Sequence, residues 1–225
     1  MGGGALLMAV MVNFLPVKTA MIYHGFIQFF SNFFRALISW KHVSLKIMTL
    51  YLIGSFIGSV FLFHLVYHPD KAYILLAMGL LILFGPFLSF AHINVQTPLG
   101  ALFCGLFVSW INTLAGVSGP LLNMFFLKSG LSKFQVIATK SATQCVAHVI
   151  KIVFYMGLLS SLERVSFKEI HPFLFLLCLL TFFGGWIGHA IVSRMSEAGF
   201  RKYGFRIISL FGAFFTLQGL YLLIF

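Results

Sequence analysis

Long apolar runs alternate with short polar segments along the whole chain. Four of the runs have close to the roughly 20 residues that an α-helix needs to span a bilayer. They lack the strict alternation of apolar and polar residues that marks the strands of an outer-membrane barrel. The pattern therefore predicts an all-α, polytopic membrane helix bundle. The four runs cover residues 45–66, 72–90, 172–193 and 207–225.

Two further predicted helices, residues 16–39 and 134–158, carry polar side chains on an otherwise apolar surface. In each helix the polar residues fall at spacings of 4, 4 and 3, which confines them to an arc of about 80°. We call these two sets the polar stripes. The first stripe consists of His24, Gln28, Asn32 and Arg35, and the second of Lys140, Gln144, His148 and Lys151.

The stripe helices belong to an internal repeat. A shift of 116 positions places Gln28 on Gln144, and the match runs without a gap from residue 3 to residue 35. Such self-similarity predicts a duplicated architecture. We place the first membrane repeat at residues 1–97 and the second at residues 98–225. The second opens with the apolar run 98–114, which has no counterpart before Met1, so we expect the first repeat to lack its first helix.

Each repeat also contains two glycines four residues apart in a predicted spanning helix. The first pair is Gly54 and Gly58, and Gly184 and Gly188 repeat the spacing. Small residues at this spacing let helix backbones approach each other closely in membranes. The motif predicts a close helix-packing face.

Two short apolar segments begin at glycines. Residues 2–14 follow the chain start, and residues 119–130 follow a break at residues 115–120. At 1.5 Å per residue, neither segment spans a hydrocarbon core of about 30 Å. Both are predicted half-helices, and the exposed N–H groups at their starts, near Gly2–Gly4 and Ser118–Gly119, suit an anion.

The break at residues 115–120 is either a bend in one spanning helix or the tip of a re-entrant hairpin. We favour the hairpin, because it gives a complete copy five segments and makes the two copies inverted repeats. Either interpretation puts eight Lys and Arg residues on the side of the loop 194–206 and four on the other. The sequence therefore predicts a multi-pass protein of the inner (plasma) membrane, with this loop in the cytoplasm and the C-terminus outside.

Composition narrows the function. The chain is 60% hydrophobic and 8% charged, whereas soluble proteins carry about 25% charged residues. The net charge of +11 comes from Lys and Arg that mostly flank apolar segments, so nucleic acid is not an implied partner; the lipid bilayer is. No HExxH motif, paired acids or cysteine spacing for a metal is present, so we expect no enzyme activity, cofactor or metal. All four acids, Asp70, Glu163, Glu169 and Glu197, lie in predicted loops.

The stripes and the half-helix starts form the candidate binding site. Lys140 lies too deep to reach the interface easily, and a cation there is costly unless it meets an anion or a wet cavity. Lys151 and Arg35 either face the site or snorkel to the interface. The amides either bridge helices or bind ligand, and His24 and His148 can carry protons. The predicted substrate-binding residues are Gly3, Gly4, His24, Gln28, Asn32, Arg35, Ser118, Gly119, Lys140, Gln144 and His148.

Several of these motifs resemble those of the sulfite exporter TauE/SafE family, also called the 4-toluene sulfonate uptake permease family. The resemblance covers nearly the whole chain, and it implies a multi-pass plasma-membrane carrier of small sulfur-containing or organic anions with two inverted repeats. It rests on Gly2-Gly3-Gly4-Ala5-Leu6-Leu7, on Ser31-Asn32-x-x-Arg35 with His24, on Gly116-x-x-Gly119-Pro120-Leu121-Leu122, and on Leu131-Ser132-Lys133 with Ala138-Thr139-Lys140.

The sequence thus predicts a secondary transporter of small sulfite- or sulfonate-type anions. The alternatives are a carrier of another anion or metabolite, a membrane assembly or biogenesis protein whose stripes only join helices, and, more remotely, an intramembrane enzyme. Substrate identity, direction of transport, coupling ion and oligomeric state stay open at this point.

Overall fold

The computed structural model describes residues 3–64, 70–84, 93–127, 129–160, 162–166 and 170–224. All regular elements in these segments are helical. A short 3-10 turn, Trp40–His42, follows α2. The α-helices are α1 (Gly3–Phe14), α2 (Val17–Ile38), α3 (Leu45–Phe63), α4 (Lys71–Phe84), α5 (Pro98–Leu114), α6 (Gly119–Leu127), α7 (Lys133–Tyr155), α8 (Phe173–Ser193) and α9 (Glu197–Ile224).

The expected all-helical class is confirmed, and several helices are apolar. By length and composition, α3, α8 and α9 are able to cross a membrane, whereas α1, α5 and most of α4 are shorter apolar helices. Helices α2 and α7, with 22 and 23 residues, are as long but carry the polar stripes. Predicted features at Gly2, 85–90, Lys128, Lys168 and Glu169 lie outside the described residues.

Local sequence explains where the central helices begin and end. Pro98 occupies the first turn of α5, and the hydroxyl of Thr97 accepts from the Gly100 N–H at 3.1 Å. Ser132 caps α7 in a capping box. Its hydroxyl accepts from the Gln135 N–H at 3.3 Å, and its own N–H donates to Gln135 Oε1 at 3.1 Å. Between α5 and α6, Gly116 has a φ of 79°, a conformation that favours glycine.

The last helix begins earlier than we predicted. We expected a loop over residues 194–206 and a span from 207, but α9 already starts at Glu197. The hydroxyl of Ser196 accepts from the Gly199 N–H at 3.0 Å, which is the bond of a helix N-cap. Lys and Arg are also good helix formers, so the basic residues that looked like a loop extend the helix instead.

The two ends of the bundle have different loops. At one end, which we call end A, the Ser44 N–H donates to Thr139 Oγ1 at 2.9 Å and Arg201 donates to the Leu131 carbonyl at 2.8 Å. At the other, end B, Lys18 donates to the Glu163 carbonyl at 2.7 Å. End A therefore gathers the loops around residues 39–44, 93–97, 129–133 and 194–196. End B gathers the turn around residues 15–18 and the described loop residues 162–166 and 170–172.

Candidate functional site

A cavity of about 370 Å³ lies between α1, α2, α6, α7 and α8. All eleven predicted substrate-binding residues line it, so the structure brings the starts of α1 and α6 and every stripe residue except Lys151 to one place. The wall continues along α8 and reaches Ser39, Val192 and Phe200, which lie towards end A. The residues in question are Gly3, Gly4, His24, Gln28, Asn32, Arg35, Ser118, Gly119, Lys140, Gln144 and His148.

The starts of α1 and α6 border open space. A Cβ atom added to Gly3 or Gly119 would meet no atom within 4 Å, whereas one added to Gly4 would lie 2.7 Å from Gln28 Oε1. The first N–H groups of a helix have no partner within the helix. The open surroundings of Gly3 and Gly119 leave room for a ligand at these starts.

The amide of Gln144 joins α7 to the break before α6. Its Nε2 donates to the Ser118 hydroxyl at 3.1 Å, and this hydroxyl donates to Asn112 Oδ1 at 3.2 Å. Asn112 in turn donates to the Ala147 carbonyl at 2.9 Å. Gln144 therefore bridges helices, one of its two expected roles, while still lining the cavity.

Two cations lie on the cavity wall, and both have neutral partners. Arg35 donates from Nη2 to the Ser31 hydroxyl at 2.8 Å and from Nε to the Ser31 carbonyl at 3.0 Å. Lys140 donates to Asn123 Oδ1. Of the described residues that line the cavity, none is acidic. The site thus holds positive charge without a matching carboxylate, and an anion would supply the missing charge.

Two histidines meet at the inner part of the cavity. The rings of His24 and His148 are edge to face, with centroids 5.7 Å apart. His148 is 2% exposed and its Nδ1 has no hydrogen-bond partner in the structure. A buried nitrogen without a partner is costly, and the residue that bears it also lines the cavity. Asn32 instead donates back to the Gln28 carbonyl of its own helix at 2.8 Å.

Lys151 does not snorkel, which was one of its two expected roles. Its side chain is fully buried behind the cavity wall. The ammonium donates to His24 Nδ1 at 2.7 Å and to the Gly116 carbonyl at 2.9 Å. The close approach of α2 and α7 makes this possible, because a Cβ added to Gly25 would lie 3.5 Å from the Cε atom of Lys151.

Sequence reasoning missed several residues of the site. Asn123 and Asn112 were not predicted, although each is a polar residue within an apolar segment. The repeat hid Asn123, because the 116-residue shift pairs it with Leu7. Ser31 was part of the family motif but was not assigned a role. Gly184 and Gly188 were expected to pack against a helix, yet they line the cavity together with Gly185.

Fold and site together define a helical membrane protein with a polar, cation-lined cavity, an arrangement found in membrane transporters. A family model described as "Sulfite exporter TauE/SafE" matches residues 1–215. The chain therefore belongs to the TauE/SafE family of membrane transporters, as its motifs indicated. No curated protein and no solved structure matches the chain significantly.

Proposed function

We propose that the protein is a secondary transporter that binds small sulfite- or sulfonate-type anions in the cavity between α2 and α7. One observation carries the proposal: the described lining contains Arg35, Lys140 and the starts of α1 and α6, and none of it is acidic. The family description, a sulfite exporter, supplies the substrate class.

Charge and solvation explain why this lining suits an anion. Cations removed from water lose hydration, and neutral partners such as Ser31 and Asn123 restore only part of it. Helix N-termini add positive partial charge and free N–H donors. A compact oxyanion between Arg35 and Lys140 would satisfy both kinds of group, and a cavity of about 370 Å³ is large enough for it and some water.

The helix contacts support inverted repeats. The 116-residue shift makes α2 the counterpart of α7, and these helices contact each other along their length. His24 meets Lys151, Phe29 meets Cys145 and Ser44 meets Thr139, so the two helices are antiparallel. Corresponding helices that run in opposite directions are expected of repeats related by an axis in the membrane plane.

A second pair of helices gives the same picture. Helices α4 and α9 come last in their respective repeats, and they also pack together. A Cβ added to Gly79 would meet Thr216, one added to Gly212 would meet Ile82, and one added to Gly219 would meet Leu76. The two helices are therefore antiparallel, which again supports an inverted relationship between the repeats.

The loop contacts favour the re-entrant hairpin over the bend. Gln96, just before α5, donates to the Ser129 carbonyl, just after α6. The chain therefore enters α5 and leaves α6 at end A. Helix α1 ends beside the start of α2, and Lys18 of that turn contacts end B. The two short helices thus begin at the cavity and leave towards opposite ends, as half-helices of inverted copies would.

The charge count then orients the protein. In the hairpin arrangement, end A carries seven of the eight Lys and Arg residues of the predicted cytoplasmic side, and the eighth, Lys128, lies outside the described residues. We therefore assign end A to the cytoplasm. The cavity, whose wall reaches end A, would then be accessible from the cytoplasm. Because α9 runs from end A to end B, a reporter fused after Phe225 should be active outside the cytoplasm. Activity of a C-terminal reporter in the cytoplasm would contradict this topology.

A binding experiment tests the function. Purified protein in detergent is titrated with sulfite, thiosulfate and a small sulfonate, with chloride at equal ionic strength as the control. We expect saturable binding of at least one sulfur oxyanion that chloride does not displace at the same concentration. No binding across the series, by a folded protein, would favour the membrane assembly role instead.

A further inference from the structure

A buried chain of hydrogen bonds connects the two repeats just behind the cavity. Lys151 donates to the Gly116 carbonyl at 2.9 Å and to His24 Nδ1 at 2.7 Å. The Nε2 of His24 contacts the Gly4 carbonyl at 2.8 Å. Gly116 lies in the break of the second repeat, and Gly4 at the start of α1. Two side chains thus tie the two short segments to each other.

The chemistry of the chain fixes the state of His24. A carbonyl oxygen only accepts hydrogen bonds, so Nε2 must carry the hydrogen and donate to Gly4. Nδ1 then carries no hydrogen and accepts a hydrogen bond from the Lys151 ammonium group. One ring nitrogen donates to Gly4 and the other accepts from Lys151. An apolar residue at position 24 would therefore remove both hydrogen bonds.

The chain belongs to a closed layer between the cavity and end B. Lys151, Tyr155, Met21 and Thr113 are all fully buried. Tyr155 donates to the Thr113 carbonyl at 3.0 Å, and a Cβ added to Gly116 would lie 2.7 Å from the sulfur of Met21. On this side, therefore, packed side chains and the Lys151–His24 bond separate the cavity from end B.

The corresponding corner at end A is built differently. The 116-residue shift pairs His24 with Lys140 and Arg35 with Lys151. Lysine and arginine are both donors only, so Arg35 and Lys140 cannot bond to each other as Lys151 and His24 do. Arg35 donates instead to the Ser31 hydroxyl at 2.8 Å, and Lys140 donates to Asn123 Oδ1. Both cations line the cavity.

We propose that Lys151 and His24 form a gate that closes the cavity towards end B, and that Arg35 and Lys140 form its counterpart, open towards end A. An anion between Arg35 and Lys140 closes the second gate by accepting from both cations. This inference rests on the proposed transport function, in which the two sides open alternately. Lys151 is a positioning residue, since it acts through His24 and Gly116 rather than on the anion.

Accessibility of the inner cavity from each side tests the gate. A single cysteine replaces Gly119, which lines the cavity and where an added Cβ would meet no atom within 4 Å, in a variant whose native cysteines are alanine. The protein is placed in right-side-out and inside-out vesicles. A membrane-impermeant cationic thiol reagent then gives a labelling rate from each end. The ratio of the end-B rate to the end-A rate is compared, because a change in the reactivity of the thiol itself affects both rates alike.

Lys151→Met should raise this ratio by about tenfold or more, the effect of losing a buried charge-assisted hydrogen bond. His24→Leu breaks the same chain from the other helix and should raise the ratio to a similar extent. The double variant should add little to either single one, because both remove the same interaction. If Lys151→Met does not insert, His24→Leu decides the question.

Lys46→Met is the control, since it deletes an exposed cation at end A that does not line the cavity. It should leave the ratio unchanged. An unchanged ratio in folded Lys151→Met and His24→Leu, or an equal rise in Lys46→Met, would overturn the gate. The assay contains no substrate, so a failure to bind anions would remove the proposed function without deciding the fate of the gate.

Discussion

The two glycine pairs have the same spacing but opposite surroundings. In α3, a Cβ added to Gly54 would lie 2.0 Å from the Leu102 carbonyl of α5, and one added to Gly58 would lie 3.2 Å from the Leu106 carbonyl. In α8, a Cβ added to Gly184 or Gly188 would meet no atom within 4 Å. One pair is an interface between backbones, and the other is part of a cavity wall.

The difference shows what a small-residue motif specifies. At the α3–α5 interface, polar groups exploit the close approach: Trp110 donates to the Gly58 carbonyl at 2.8 Å and Ser55 donates to the Gly105 carbonyl at 3.1 Å. On α8, Gly185 lies beside Arg35, whose Cγ would be 3.5 Å from an added Cβ. The motif predicts a smooth helix surface, but the neighbouring element decides whether a helix or a cavity covers it.

The largest effect is expected for Gly54→Ala. The new methyl group cannot fit 2.0 Å from a backbone oxygen, so α3 and α5 must separate and their hydrogen bonds must lengthen. We expect a loss of about 3 kcal/mol in the free energy of unfolding, at the upper end of the range for overpacked sites. Thermal unfolding in detergent, together with the yield of monodisperse protein, measures it.

Gly184→Ala is the matched control for this change, because it adds the same methyl group at the same position of the motif. Equal destabilisation by the two variants would contradict the contrast between the two faces. A fully stable Gly54→Ala protein would show that α3 and α5 do not approach as closely as the structure has them.

The second prediction asks whether the space in front of α8 is an anion site. Lys140→Met keeps the length and apolar contacts of the side chain but removes its charge. We expect anion affinity to fall by about 10- to 150-fold, since a charge-assisted bond to a desolvated anion contributes about 1.5–3 kcal/mol. Isothermal titration with the sulfur oxyanion that binds the unmodified protein measures the change.

Lys46→Met provides the control, because it deletes an exposed cation at end A that does not line the cavity. It should leave affinity within about twofold, as expected of a screened surface charge. If Lys140→Met binds the anion as well as the unmodified protein does, Lys140 is not part of the binding site. The second stripe would then serve only in helix packing.

Much of the candidate site could be predicted because it follows from periodicity alone. Residues at spacings of 4, 4 and 3 must share a helix face, and the 116-residue shift marks two such faces as equivalent. Stripes with Lys140 and Arg35 are too costly to face lipid, so they had to point inward. The positions of the helices in the described residues followed from the lengths of the apolar runs and from the stripes, with the start of α9 as the main error.

What could not be predicted depends on how helices meet. The bond between Lys151 and His24 needs the antiparallel approach of α2 and α7, which no local pattern encodes. Asn123 of α6 bonds to Lys140. The repeat gave no hint of this contact, because the residue that corresponds to Asn123 in the first copy is the apolar Leu7. Whether glycines meet a helix or a cavity is likewise a property of the partner and not of the motif.

The smallest effect on stability is expected for Gly188→Ala. Its direction should be opposite to that of Gly54→Ala. A Cβ at position 188 would meet no atom within 4 Å, so no packing cost arises. Alanine also loses less backbone entropy than glycine in a helix, which favours the variant by about 0.5–1 kcal/mol. We therefore expect an unchanged or slightly higher unfolding temperature, where Gly54→Ala lowers it. A clear destabilisation by Gly188→Ala would mean that α8 is covered in the membrane by a helix, packed as closely as α5 packs on α3.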